Sequence, residues 1–109
     1  MNEVLTIGKI YYKEWKNKNN TSERSDCNCG TWKHHWEKLS GDKWPSECSV
    51  EKCRNEPEVG AHVICESQNI SGEYIVPLCK ACNGKRDEVF RLKSGTVLVT
   101  ANLSKSCGR

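Results

Sequence analysis

The sequence predicts a small α+β domain, and three observations carry that expectation. The chain has 109 residues, the length of one domain. Residues 31–40 repeat their large side chains at helical spacing, with Trp32, His35, Trp36 and Leu39 at i, i+3, i+4 and i+7. Three short segments, 61–65, 74–78 and 96–100, are rich in Val, Ile, Leu and Tyr and bounded by turn residues, as strands are.

Taken in order, residues 3–16 mix β-branched, aromatic and charged side chains without a dominant period, so helix and strand both stay open there. Residues 17–26, NKNNTSERSD, contain no large apolar side chain and read as an exposed linker. The helix at 31–40 has Thr31 to cap its start and Gly41 to end it. Its spacing turns His35 inward beside two tryptophans and leaves His34 on the flank. Residues 41–45 form a turn, and 66–72 (ESQNISG) a second one between the first two strands. Residues 86–92 could be a short helix, with Val89 and Leu92 three apart, and Ser94-Gly95 turns the chain into the last strand. The organisation is one domain: an N-terminal element and linker (1–26), a helical element (27–47), a cysteine-paired unit (48–91), and a C-terminal strand and tail (92–109).

Only 36% of the residues are hydrophobic, so an apolar core alone would be marginal at this length. Eight cysteines imply that disulfides or bound metal supply the remainder. Apolar runs such as Val97-Leu98-Val99 fall far short of the ~20 residues of a membrane span. No basic segment followed by an apolar stretch opens the chain, which predicts a cytoplasmic protein without membrane contact. The net charge of +3 is uneven. Residues 79–109 carry seven Lys/Arg (Lys80, Lys85, Arg86, Arg91, Lys93, Lys105 and Arg109) against Asp87 and Glu88. A basic third of this kind suits phosphate, although a solvated Lys/Arg face has the same composition.

The strongest signal is Cys48-x4-Cys53 followed by Cys79-x2-Cys82. Two close pairs separated by a hairpin-sized segment are what a closed tetrahedral zinc site needs, four thiolates facing one ion at ~2.3 Å. Two disulfides are the alternative. Asn83-Gly84 after the second pair tolerates positive φ, which such turns often use.

The pattern Cys48-x4-Cys53, Gly60-Ala61-His62-Val63-Ile64, Tyr74-Ile-Val-Pro-Leu-Cys79-x2-Cys82-Asn83-x-Lys85 resembles the zinc-stapled, treble-clef form of HNH endonucleases over residues 48–91. The resemblance implies a ββα finger in which His62 is the general base. A helix after the second cysteine pair would offer Asn83 to a catalytic Mg²⁺, and Lys80, Lys85, Arg86 and Arg91 could contact nucleic-acid phosphate. The residue before the base, usually Asp or His, is here Ala61, and the position of the central Asn is Tyr74. Two of four active-site positions are therefore absent, and nuclease activity does not transfer with the fold.

Four cysteines remain, Cys27, Cys29, Cys65 and Cys107. Cys29, His35, His62 and Cys107 would make a Cys2His2 set for a second zinc, with Cys27 competing for the place of Cys29. In the other reading His35 is a packed histidine, Cys65 a buried hydrophobe and Cys107 a disulfide partner of Cys27 or Cys29. The tryptophans at 15, 32, 36 and 44 suit a core better than a platform for stacked bases. Three functions follow: a non-catalytic zinc-binding module contacting DNA, RNA or another protein; an HNH-type nuclease using Mg²⁺; and a structural or protein-interaction module without nucleic-acid affinity.

Overall fold

The computed structural model describes residues 4–6, 14–17, 31–65, 72–85 and 88–101. The longest helix among the described residues, α1 (Trp32–Ser40), begins and ends where its caps dictate. The Thr31 hydroxyl accepts from the His34 N–H at 3.1 Å, and Gly41, at φ 72°, donates its N–H to the Glu37 carbonyl. His35 and Trp36 are buried, and His34 is exposed, as the spacing predicts.

Five strands, β1 (Val4–Thr6), β2 (Trp15–Asn17), β3 (Val59–Cys65), β4 (Tyr74–Leu78) and β5 (Val97–Thr100), form one antiparallel sheet in the order β1-β5-β4-β3-β2. The single-turn helix α2 (Lys80–Asn83) follows β4. β4 is the central strand and is buried along its whole length, which accounts for its unbroken apolar run. Pro77 is tolerated there because β5 pairs only with Tyr74 and Ile75, so no second ladder asks Pro77 for an N–H.

The pleat sorts the side chains between two layers. On one face Ile75 and Val99 pack with Trp36, and Trp32, Leu39, Trp44 and Val97 close around them. On the other, Ala61, Val63, Tyr74, Val76, Leu78 and Leu98 pack with Trp15, Val50, Phe90, Leu92 and three cysteines. The tryptophans are thus core: Trp15 and Trp36 are buried, Trp32 and Trp44 half-buried.

Gly60 sets how closely α1 lies on the sheet. A Cβ built there would stand 2.7 Å from the Trp32 carbonyl carbon and 2.9 Å from the Lys33 nitrogen. Those are backbone atoms, so the helix itself would have to move. Gly60→Ala should cost about 1–3 kcal/mol, read as a lower melting temperature at unchanged metal content.

Two sequence expectations need correction. Residues 88–92 are not helical: Trp15 bridges Phe90 and Val50 bridges Leu92, with Phe90 and Leu92 buried, Arg91 exposed and Val89 55% exposed. The period there is two, and tertiary pairing on both sides overrides the Val89/Leu92 spacing. Asn17, placed in the exposed linker, is instead a buried end of β2. The rest of that linker, residues 18–26, lies outside the described residues.

Candidate metal centre

The first cysteine pair is carried by a loop pinned on both sides. Ser49 donates its N–H to the Pro77 carbonyl and Glu51 to that of Arg91, while Lys93 donates to the Ser49 carbonyl. These bonds lay Ser49–Glu51 beside Arg91–Lys93 and press Val50 into the core. The four-residue spacer between the cysteines has its explanation here: Val50 is used for packing. The chain then turns back through Lys52, at φ 71°, and Cys53 donates its N–H to the Val50 carbonyl at 3.0 Å. Cys48 closes the loop by donating to the Asn55 carbonyl at 2.7 Å.

The second pair forms as β4 runs out. Cys79 is the N-cap of α2, its sulfur accepting from the Cys82 N–H at 3.4 Å. This turn closes without left-handed backbone, since Gly84 sits at φ −83°. The left-handed residue of the site is Lys52, not Asn83 or Gly84 as the sequence suggests.

The four sulfurs of Cys48, Cys53, Cys79 and Cys82 lie within 4.8 Å of one another. Cys53 Sγ is 3.8 Å from Cys79 Sγ and 3.9 Å from Cys82 Sγ. A tetrahedron with metal–sulfur bonds of ~2.3 Å has edges of ~3.8 Å, so the spacing fits a zinc-sized ion, and all four cysteines are free thiols rather than disulfides. Donors converge on the sulfurs as they would on thiolates: Cys79 N–H to Cys48 Sγ at 3.3 Å and Asn55 Nδ2 to Cys79 Sγ at 3.6 Å. Burial opposes ionisation of Cys79, but the Cys82 N–H, the Asn55 amide and the neighbouring thiols outweigh it and bring its pKa down to about 6. Burial pushes Cys48 and Cys82 up. The cluster thus favours one thiolate by itself, and a cation is what would draw off further protons.

Three supporting residues escape sequence reasoning. Asn55 braces both pairs, and only its closeness to Cys53 hints at it. Lys93 donates to the Cys53 carbonyl at 2.6 Å and pairs with Glu47 at 3.1 Å. From β2, Asn17 Nδ2 donates to the carbonyls of Cys82 and Lys85, each at 2.9 Å. No local pattern could link Asn17 to a turn so distant in the chain.

The remaining predicted residues fall elsewhere. His62 is buried on the α1 face, its ring edge-on to Trp32 with centroids 4.5 Å apart. Asn83 is exposed at the end of α2, beside Cys82, which packs on the opposite face of the sheet. The sheet therefore stands between them. His35 is fully buried near His62, with its ring 4.9 Å from that of Trp32 and Nε2 2.8 Å from the Thr100 carbonyl. Burial lowers the His35 pKa, against the Thr100 bond, which raises it. Lys80 and Arg91 are exposed and Lys85 half-buried. Cys27, Cys29, Cys107 and Arg86 lie outside the described residues. Cys65 is half-buried against the cysteine-face core. An open groove of about 500 Å³ between α1 and the Lys93–Thr96 turn is lined by Trp36, Lys43, Glu47, Ser49, Lys93 and Thr96, among others, and its mixed charges select no ligand class.

No helix among the described residues is long and apolar enough to cross a membrane. No protein-family model matches the chain, and neither a curated protein nor a solved structure matches it.

Proposed function

We propose that this chain is a zinc-stapled, non-catalytic binding module of treble-clef type. The observation that carries the reading is the convergence of four free thiols, from two segments 26 residues apart, to the edge lengths of a tetrahedral thiolate site. A four-sulfur shell is closed, leaving no position for a reacting water, as in structural zinc sites. The order loop pair, β3–β4 hairpin and helical turn supports the treble-clef reading. The burial of His62 against Trp32, with the sheet between it and Asn83, supports a non-catalytic role.

The partner this reading favours is nucleic acid. Lys80 and Arg91 are exposed and Lys85 half-buried on the segments that frame the cysteines, in the third of the chain that is net basic. The zinc-loaded chain should bind single- or double-stranded DNA or RNA with an affinity that falls as salt rises, because phosphate contacts release counterions. Lys80→Glu with Arg91→Glu should weaken that binding, and no strand should be cut in Mg²⁺ or Mn²⁺. Cleavage abolished by His62→Ala would overturn the non-catalytic reading. Absence of binding at low salt would replace nucleic acid by a protein partner.

A further inference from the structure

We propose that Cys53 is the oxidation site of the four-cysteine cluster: a hydroperoxide attacks its sulfur, Cys79 or Cys82 closes a disulfide with it, and the bound zinc is expelled. Resting on the zinc reading above, this places release of the ion under redox control. With zinc bound, all four sulfurs are thiolates, because a coordinated thiol loses its proton outright. Ionisation therefore does not distinguish them. Access and electron density at sulfur do.

Both single out Cys53. Cys48, Cys79 and Cys82 are buried, at 0%, 3% and 5% exposure, whereas Cys53 is half-buried. An oxidant from solution therefore reaches Cys53 before the others. N–H donors also draw electron density from two of the buried sulfurs. Cys48 accepts from the Cys79 N–H, and Cys79 from the Cys82 N–H and the Asn55 amide. The contacts of Cys53 Sγ among the described residues are instead other sulfurs, Cys79 at 3.8 Å and Cys82 at 3.9 Å. The thiolate is the nucleophile toward peroxide, and its susceptibility follows exposure. A four-sulfur shell is closed, so the oxidant meets sulfur rather than the ion.

The chemistry balances with a single hydrogen peroxide. The Cys53 thiolate attacks one peroxide oxygen: the S–O bond forms, the O–O bond breaks, and hydroxide leaves. Sulfur gives up an electron pair and the peroxide is reduced. The Cys79 or Cys82 thiolate then attacks the sulfenic sulfur, the S–S bond forms, and the S–O bond breaks. A second hydroxide departs, and solvent protons turn both hydroxides into water. Cys53 and Cys79, with sulfurs 3.8 Å apart, must close to the ~2.05 Å of a disulfide. That is far inside the edge of a tetrahedral site, so the link and the ion exclude each other. The link joins the same two segments as the ion, 26 residues apart from Cys53 to Cys79. Both halves of the site therefore stay together, ready for a dithiol reductant and fresh Zn²⁺.

The test treats the full chain, purified reduced and loaded with Zn²⁺, with substoichiometric hydrogen peroxide. Zinc released to a colorimetric chelator should rise with the peroxide consumed, and a dithiol with added Zn²⁺ should restore the loaded chain. Trypsin cuts after Lys52, Arg54, Lys80 and Lys85, which puts the four cysteines on four peptides. Mass spectrometry should find the Cys53 peptide joined to that of Cys79 or Cys82 as the first disulfide, with fragmentation separating Cys79 from Cys65 on their shared peptide. Cys53→His keeps a ligand for zinc but cannot form a disulfide, so it should hold its zinc through the same treatment. A first disulfide that omits Cys53 would overturn the proposal, as would zinc lost from Cys53→His at the parental rate. If that variant does not fold, the disulfide map of the unaltered chain decides alone. A chain that takes up no zinc yet forms the Cys53 link would overturn the zinc reading and uphold the oxidation site, so the two fail separately.

Discussion

Cys79→Ser should abolish the cooperative melting transition. Cys79 contributes more to the cluster than one sulfur in four. Its sulfur caps α2, accepts from Asn55 and lies 3.8 Å from Cys53, and its N–H holds Cys48. Serine keeps the cap but cannot supply a thiolate. Structural zinc sites carry an apparent ~10–16 kcal/mol at neutral pH, whereas a domain of this kind has a net stability of about 5–15 kcal/mol. Losing the ion therefore removes most or all of the margin. A strong chelator added to the unaltered chain should give the same circular-dichroism spectrum as the variant. Cys65→Ser, which removes a half-buried thiol outside the cluster, is the control and should melt within a few degrees of the parent. A cooperative Cys79→Ser transition near the parental temperature would mean that packing alone holds the fold.

Acid should act in the same direction. The folded pKa of Cys79, about 6, lies below the ordinary thiol value of 9.0. Its contribution is therefore present above the ordinary value and is lost as pH falls through about 6. Protons also compete with the metal for all four sulfurs, so zinc release and unfolding should coincide on acidification.

How much of this was legible in the chain depends on how local each signal is. The caps of α1 act within four residues, and Thr31 and Gly41 mark its ends as read. The run 74–78 announced a strand, as did 61–65 and 96–100. Cysteine spacing located the four-sulfur cluster because each pair closes within a single loop. The failures share one cause. Residues 3–16 could not be assigned because β1 exists only through β5, and β2 only through β3 and Phe90. Residues 88–92 read as helix because Val89 and Leu92 sit three apart, while what shapes them is a pair of bridges to Trp15 and Val50. Asn17 looked like linker because its two acceptors, the carbonyls of Cys82 and Lys85, leave no trace in its neighbourhood. Backbone carbonyls have no sequence signature, so a residue that works by binding them is invisible until the fold is known.

Trp15→Ala should both destabilise the domain and loosen the second cysteine turn. Trp15 is fully buried, edge-on to Tyr74 with ring centroids 6.2 Å apart, and its backbone exchanges two hydrogen bonds with Phe90, at 3.0 and 2.7 Å. Truncation leaves a cavity in the layer that holds the cysteines, at a cost of about 3–5 kcal/mol. The consequence should extend beyond stability, because β2 is an edge strand of three residues with Trp15 at one end and Asn17 at the other. If the indole anchors that strand, its loss frees Asn17 from the second cysteine turn. Trp15→Ala should then surrender zinc to a competing chelator faster than the parent as well as melt earlier. Trp15→Phe, which keeps an aromatic edge against Tyr74, should recover most of the chelator resistance. Asn17→Ala should accelerate zinc loss at a smaller cost in stability, since it removes two hydrogen bonds but no core volume. Equal rates of zinc transfer in Trp15→Ala and the parent, at a temperature where both are folded, would show that the turn holds itself and that β2 is only a cover for the core.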